Sequence, residues 1–279
     1  MDLRSEEFAL RLWCSATRIR ALAARLSALP APPGGGPLVS FFGSGDYHHL
    51  TTALLQSTPA RLTVVHFDNH PDWVRIPPTH NCGGWVNRAL DLPNVERVIT
   101  LGVASGDLAL PQFKTANLAA LDSGRLEIHP WRAAPSRIWG QVKDGFGHRM
   151  AGGRLVWRCI EDEDREAFVD SLAARIPTDE IWITIDKDVL RPADAATNWD
   201  QGEMPLDALL DAIRRLARRR RVAGVDICGE YSPPKFRDPL KFVAAWLDRP
   251  DAKPVSGETL QRNDLTNRAI VETLEATLQ

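Results

Sequence analysis

Short apolar runs rich in β-branched and aromatic residues recur along this chain of 279 residues, and segments with helical spacing of apolar positions separate them. Strands that are apolar on both faces must be covered by helices on either side. The alternation therefore predicts an α/β fold, with a mainly parallel central sheet in a three-layer αβα sandwich. The predicted strands are 38–43, 61–68, 95–103, 125–131, 154–160, 180–186 and 221–227. The clearest predicted helices are 5–28, 47–57, 163–175, 205–219 and 264–278.

The segment PAPPGGGP at 30–37 interrupts this pattern near the N-terminus, because proline and glycine break both helices and strands. We expect an N-terminal helix within 1–29, a connector at 30–37, and a single domain over 1–279. Length alone is only a soft guide to the number of domains.

Charge and hydropathy narrow the class of protein. The chain has 34 basic and 36 acidic residues and a net charge of −2, which gives no indication of a nucleic-acid partner. No apolar run approaches the roughly 18 residues of a membrane helix, and the first 30 residues are too charged for a secretory signal. The four cysteines lack C-x-x-C spacing. We expect a cytoplasmic protein with no membrane or nucleic-acid partner.

The second strand ends in a D-x-H-x-D pattern made of Asp68, His70 and Asp72. In an extended chain, alternate side chains project from the same face. Ligands of open parallel sheets bind beyond the carboxyl ends of the strands, which is where this pattern lies. Three ionisable groups on one face repel or desolvate one another unless a cation or hydrogen-bond partners compensate. The pattern therefore indicates half of a metal site.

Other strand ends supply further ligands, in GSGDYHH (43–49) and TIDKD (184–188). The possible ligands are His48 or His49, Asp68, His70, Asp72, Asp186 and Asp188. Oxygen-rich sets with a minority of imidazole suit hard or borderline cations such as Mn²⁺. Four carboxylates carry too much charge for one divalent ion, so we predict two ions and a shared water of lowered pKa.

In order along the chain, GSGDYHH, DNHPD, TIDKDVLRP and DICGEYSP resemble the motif series of the ureohydrolases, which include arginase, agmatinase and formiminoglutamase. The resemblance spans roughly residues 38–234 and implies an arginase-like αβα fold with a binuclear manganese centre. It implies one ion bound by His48, Asp68, Asp72 and Asp186, and a second bound by Asp68, His70, Asp186 and Asp188. GSGDYHH is one residue longer than the family's G-G-D-H, and we favour His48 over His49 as the ligand.

Two departures from the family's motifs and one match to them concern substrate binding and proton transfer. Trp73 stands where arginases have an asparagine that holds the amino-acid end of the substrate. In THNCGGWV (79–86), His80 or Cys82 takes the place of the family's proton-shuttle histidine. Glu230 matches the glutamate that grips a guanidinium, a planar cation well suited to a bidentate carboxylate.

Two further expectations concern Asn198 and the other histidines. Asn198, in the polar loop after the D-x-D strand, is expected to contact substrate by location alone. His66, His129 and His148 are interpreted as ordinary structural histidines.

The resulting hypothesis is a binuclear manganese hydrolase that cleaves a C–N bond of a guanidino, amidino or formimino small molecule. A metal-bridging hydroxide would attack the planar carbon, and His80 or Asp188 would protonate the leaving amine. No organic cofactor is needed, and homo-oligomers are common in the family. One alternative is a deacetylase-like amidohydrolase with a single zinc, which would leave His48, Asp72 and Asp188 without a role. Another is a metal-binding module that has no catalytic activity.

Overall fold

A computed structural model describes residues 2–30, 36–76, 80–233, 235–248 and 256–278. The strands are β1 (Trp13–Cys14), β2 (Leu38–Phe41), β3 (Leu62–Phe67), β4 (His80–Asn81), β5 (Val95–Leu101), β6 (Leu126–His129), β7 (Ser136–Arg137), β8 (His148–Ala151), β9 (Arg154–Trp157), β10 (Glu180–Asp186) and β11 (Arg221–Cys228). The α-helices are α1 (Glu7–Leu10), α2 (Ala16–Ser27), α3 (Thr51–Ser57), α4 (Trp85–Leu90), α5 (Leu118–Asp122), α6 (Arg165–Ala174), α7 (Leu206–Arg219), α8 (Pro239–Asp248) and α9 (Gly257–Thr277). Short 3₁₀ turns include Gly45–Leu50, Cys82–Gly84 and Lys187–Val189.

Six strands form a parallel sheet in the order β2-β11-β10-β3-β5-β6. Alternate residues of each central strand enter different cores, as the pleat requires. Ile183 packs with α6, α7 and α9 on one face, and Trp182 packs with α3, α4 and α5 on the other. The predicted three-layer αβα sandwich with a mainly parallel sheet is confirmed.

The polar strand ends meet because of the order of the strands. From β3 the chain moves outward through β5 to β6, whereas from β10 it moves in the opposite direction to β11. Such a reversal opens a crevice beyond the carboxyl ends of the two adjacent strands. Phe67 pairs with Ile185, so Asp68 and Asp186 emerge side by side at the β3 and β10 ends.

The predicted N-terminal helix is shorter than expected, because the segment 5–28 contains two α-helices separated by a short strand. After α1 the backbone of Leu12 takes a φ of 64°, and Trp13–Cys14 pairs antiparallel with β4. The Ser15 side chain then accepts a hydrogen bond from the Arg18 backbone N–H and caps a new helix. Most of the predicted connector lies outside the described residues.

The predicted strand at 154–160 does not belong to the central sheet, contrary to expectation. Its ordered part, β9, pairs with β7 and β8 in a separate antiparallel sheet. Gly152 and Gly153, with φ of 57° and 72°, form the tight hairpin turn between β8 and β9.

Within the described ranges, no helix is long and apolar enough to span a bilayer.

Candidate metal centre and active-site cavity

His48 lies at the centre of a group of buried carboxylates. Its Nδ1 atom is 3.1 Å from Asp68 Oδ2, 3.4 Å from Asp72 Oδ2 and 3.7 Å from Asp186 Oδ2. The turn that presents it approaches β10 closely, since a Cβ on Gly45 would lie 2.4 Å from Asp186 Oδ2. Glycine is therefore required at position 45 for this arrangement.

The hydrogen bonds of His48 fix which ring nitrogen faces the carboxylates. The Thr184 hydroxyl donates to Asp226 Oδ1 at 2.6 Å, so its oxygen accepts from His48 Nε2–H at 2.9 Å. The Nδ1 of this tautomer then carries a lone pair, and it is buried with no hydrogen-bond partner among the described residues. A lone pair facing three carboxylates fits a cation, and only a cation or an added proton would relieve the repulsion.

His70 repeats the arrangement on the other side of Asp68. Its Nδ1 is 3.1 Å from Asp188 Oδ2 and 3.4 Å from Asp68 Oδ1, while its Nε2 is 2.8 Å from Asp200 Oδ1. Each imidazole thus directs Nε2 to an oxygen outside the cluster and Nδ1 into it. The two oxygens of Asp68 face different histidines, as a carboxylate shared by two ions would.

The pKa shifts reflect the crowding of negative charge. Burial and then the neighbouring Asp68 raise the pKa of Asp72 well above its ordinary value, and the same two causes raise that of Asp186. Burial, Asp186 and Asp68 raise the pKa of Asp188 well above its ordinary value. Burial would also raise the pKa of Asp68, but the surrounding imidazoles hold it well below its usual range.

Asp72 has a φ of 46°, a strained backbone of the kind that clusters at functional sites.

His49 is separated from this cluster although it adjoins His48. Both of its ring nitrogens are buried without a hydrogen-bond partner among the described residues, and burial lowers its pKa to about 3. His48 is the histidine that the structure brings to the carboxylates.

Two side chains of the cluster, those of His66 and Cys228, are not among the predicted site residues. His66, interpreted as an ordinary residue, places Nε2 2.8 Å from Asp68 Oδ2. It lies two positions before Asp68 on β3, so the alternation of a strand could have revealed it. The Cys228 thiol donates to Asp186 Oδ2 at 3.2 Å, as the pairing of residues 186 and 228 in the β10–β11 register requires.

The cluster forms the floor of a cavity of about 840 Å³. Of the predicted substrate contacts, Trp73 and Cys82 line this cavity. His80, Asn198 and Glu230 are not among its described lining residues.

Glu230, predicted to grip a guanidinium, makes its hydrogen bonds to other side chains of the protein. Its Oε1 accepts hydrogen bonds from the buried Lys187 ammonium and from Asn267 Nδ2, and its Oε2 accepts one from Asn263 Nδ2 at 2.9 Å. Both oxygens are therefore engaged by the protein itself. One of its partners, Lys187, belongs to the D-x-D motif, where it lies between Asp186 and Asp188.

His80 and Asn198 likewise make contacts within the protein. His80 pairs with Cys14 in the small β1–β4 sheet, and burial of its ring lowers its pKa. The Asn198 amide accepts from the Ser44 hydroxyl at 3.0 Å and donates to the Ser232 carbonyl at 2.7 Å, so it joins loops instead of facing the cavity. Its neighbours Trp199 and Asp200 do line the cavity.

Comparison with solved structures places this fold with the arginase-like proteins. Agmatine ureohydrolase of Thermoplasma volcanium is 16% identical, with a TM-score of 0.58 over 93% of this chain and 69% of that one. Formimidoylglutamase of Bacillus subtilis is 21% identical, with a TM-score of 0.54 over 81% and 62%. Arginase of Bacillus caldovelox is 16% identical, with a TM-score of 0.53 over 86% and 76%. At these identities the likeness establishes the arginase-like fold.

Sequence comparison finds a relative that is longer than this chain. An uncharacterized protein of Thermotoga maritima is 26% identical over 198 residues, which are 71% of this chain and 60% of that protein. No family model matches the chain. The chain thus spans about 60% of the length of this relative.

Proposed function

We propose that this protein is a binuclear manganese-dependent hydrolase that cleaves a C–N bond of a guanidino, amidino or formimino small molecule. One observation carries the proposal: His48 Nδ1 is buried among three carboxylates while Thr184 engages its other nitrogen. The substrate class is supported by the names of proteins that share the fold, which include an arginase, an agmatine ureohydrolase and a formimidoylglutamase.

The residues present fit two divalent ions. The proposed ligands are His48, Asp68, Asp72 and Asp186 for one ion, and Asp68, His70, Asp186 and Asp188 for the other. When bound, such a pair supplies Lewis acidity and lowers the pKa of water to near neutrality. The second group around His70 favours this arrangement over a single zinc, which would leave His48, Asp72 and Asp188 uncompensated.

The protein's own side chains would orient the substrate and move protons. Trp73 and Cys82 contribute to the wall of the cavity beside the proposed ligands. Water adds to the planar carbon and gives up a proton, the C–N bond to the substituent breaks, and the amine leaves with that proton. We assign the transfer of the proton from the water to the amine to Asp188, which lines the cavity and accepts a hydrogen bond from the Asn69 N–H at 3.0 Å. His80 is not part of this scheme.

The test is reconstitution of metal-free protein with Mn²⁺, followed by metal analysis and a substrate screen. We expect about two ions per chain and release of urea or ammonia from a guanidino, amidino or formimino compound. One zinc per chain with hydrolysis of acylated lysine would contradict the proposal. So would two ions with no turnover, which would favour a binding module. The cytoplasmic location and homo-oligomeric state stay predictions.

A further inference from the structure

The cavity has an acidic floor but largely apolar walls. Six of the wall residues are Leu12, Trp13, Trp73, Val74, Trp199 and Leu247. A volume of about 840 Å³ is within the range of pockets for whole small molecules, and a guanidinium group alone would occupy a minor part of it. A substituent on that group would therefore lie against these walls.

The aromatic walls begin directly beside the floor and are held in place. Trp199 Nε1 donates to Asp46 Oδ1 at 3.2 Å, and its ring centre lies 6.0 Å from that of His70. Trp73 follows Asp72 in the chain, is fully buried, and packs on Trp157 with ring centres 6.4 Å apart. Trp199, which is partly exposed beside His70, therefore offers fixed aromatic surface next to the floor, whereas Trp73 has no exposed surface of its own.

Charged partners for a substituent are scarce. Among the described residues that line the cavity there is no arginine, and the lysine is Lys114. Its ammonium already donates to Asp107 Oδ1. The other charged groups near the rim are Asp107 and Asp200, which already pair with Lys114 and with His70 Nε2. A carboxylate or an ammonium on the substrate would lose its water and gain no unpaired partner of opposite charge among the described lining residues, which is unfavourable.

We infer that the substrate carries an uncharged apolar substituent, alkyl or aryl, on its guanidine or amidine group, and no carboxylate tail. This inference rests on the proposed function for the placement of the cationic group at the floor. The burial of apolar surface against the walls would supply the binding energy for the substituent.

The experiment compares three guanidines that share a six-carbon chain and differ at its end: hexylguanidine, 6-guanidinohexanoate and 6-aminohexylguanidine. Turnover by the Mn²⁺-loaded protein is followed as urea release, and binding is measured separately by calorimetry. We expect both kcat/KM and affinity to favour hexylguanidine over each of the others by about tenfold or more. Preference for the carboxylate or the amine would overturn the inference.

Two variants on α8 localise the effect. Leu247 is 66% exposed and lines the cavity, whereas Phe242, on the same helix, is 58% exposed and is not among the described lining residues. Leu247→Arg should shift the affinity ratio toward 6-guanidinohexanoate by about tenfold, because it adds the missing cation. Phe242→Arg should leave the ratio unchanged. Equal shifts in both variants would contradict the placement.

The outcomes separate this inference from the proposed function. Turnover with the reverse preference would refute the inference and leave the hydrolase proposal standing. Preferential binding of hexylguanidine without turnover of any compound would support the inference and refute the hydrolase proposal. Neither binding nor turnover would refute both.

Discussion

Carboxylates follow neighbouring strands of the sheet in two different states. After β11, Glu230 is engaged by Lys187 and two asparagines, and although burial opposes it, Lys187 lowers the pKa of Glu230. After β10 and β3, burial and mutual repulsion raise the pKa of Asp72 and Asp186. In the first case Lys187 neutralises the carboxylate, whereas in the second the carboxylates outnumber the imidazoles of His48, His66 and His70. The β3–β10 rim is therefore a group of buried carboxylates and imidazoles that could hold metal ions.

The largest expected effect comes from removing the carboxylate shared by both groups. Asp68→Ala should lower Mn²⁺ affinity by more than about 100-fold and turnover by about 1,000-fold or more, because both ions lose a ligand. Calorimetry and metal analysis after dialysis measure the first effect. Glu230→Gln is the matched control and should keep both ions. Wild-type Mn²⁺ affinity in Asp68→Ala would show that Asp68 is not a ligand shared by the two ions.

Disrupting the paired group should affect stability instead. Glu230→Ala leaves the Lys187 ammonium, whose side chain is fully buried, without its carboxylate, and should cost about 3 kcal/mol of unfolding free energy. The double variant Lys187→Met with Glu230→Leu should recover most of the loss, because both charges are removed. Urea denaturation measures both. A single-variant loss below about 0.5 kcal/mol would show that the pair is not structurally important.

A smaller effect is expected from the group that orients His48. Thr184→Val removes the hydroxyl between His48 Nε2 and Asp226 at nearly constant volume, and should lower Mn²⁺ affinity by about 10- to 100-fold. Thr184→Ser retains the hydroxyl and should restore most of the affinity. Equal affinity in the Val and Ser variants would show that the orientation of His48 does not depend on this hydrogen bond.

The smallest effect concerns another compensated carboxylate, Glu127, at the far edge of the sheet. Burial opposes ionisation, but hydrogen bonds from His129 and Arg175 lower the pKa of Glu127 from 4.5 to about 2. The folded protein therefore holds fewer protons here than the unfolded chain, so this stabilisation is present above about pH 4.5 and is lost as the pH falls toward 2. Glu127→Gln should reduce the acid-induced loss of stability by about 1–2 kcal/mol in denaturation curves at pH 6 and pH 3. An unchanged acid slope would contradict the shift.

Local sequence pattern predicted much of the fold and the floor of the site. Strand alternation places Asp68, His70 and Asp72 together, and the apolar runs predict the parallel sheet, because both depend on neighbours within a few residues. The state of Glu230 depends on Asn263 and Asn267, more than 30 residues away. The direction of the His80 side chain depends on pairing with β1. Such contacts between distant segments leave no periodic signal in the sequence.

The proposed binding of two cations at the β3–β10 rim can be tested with an anomalous-difference map from crystals of the Mn²⁺-loaded protein. We expect two peaks, one beside His48 Nδ1 and one beside His70 Nδ1, with Asp68 in contact with both. A map without density at this rim, from crystals grown with Mn²⁺ in excess, would contradict it.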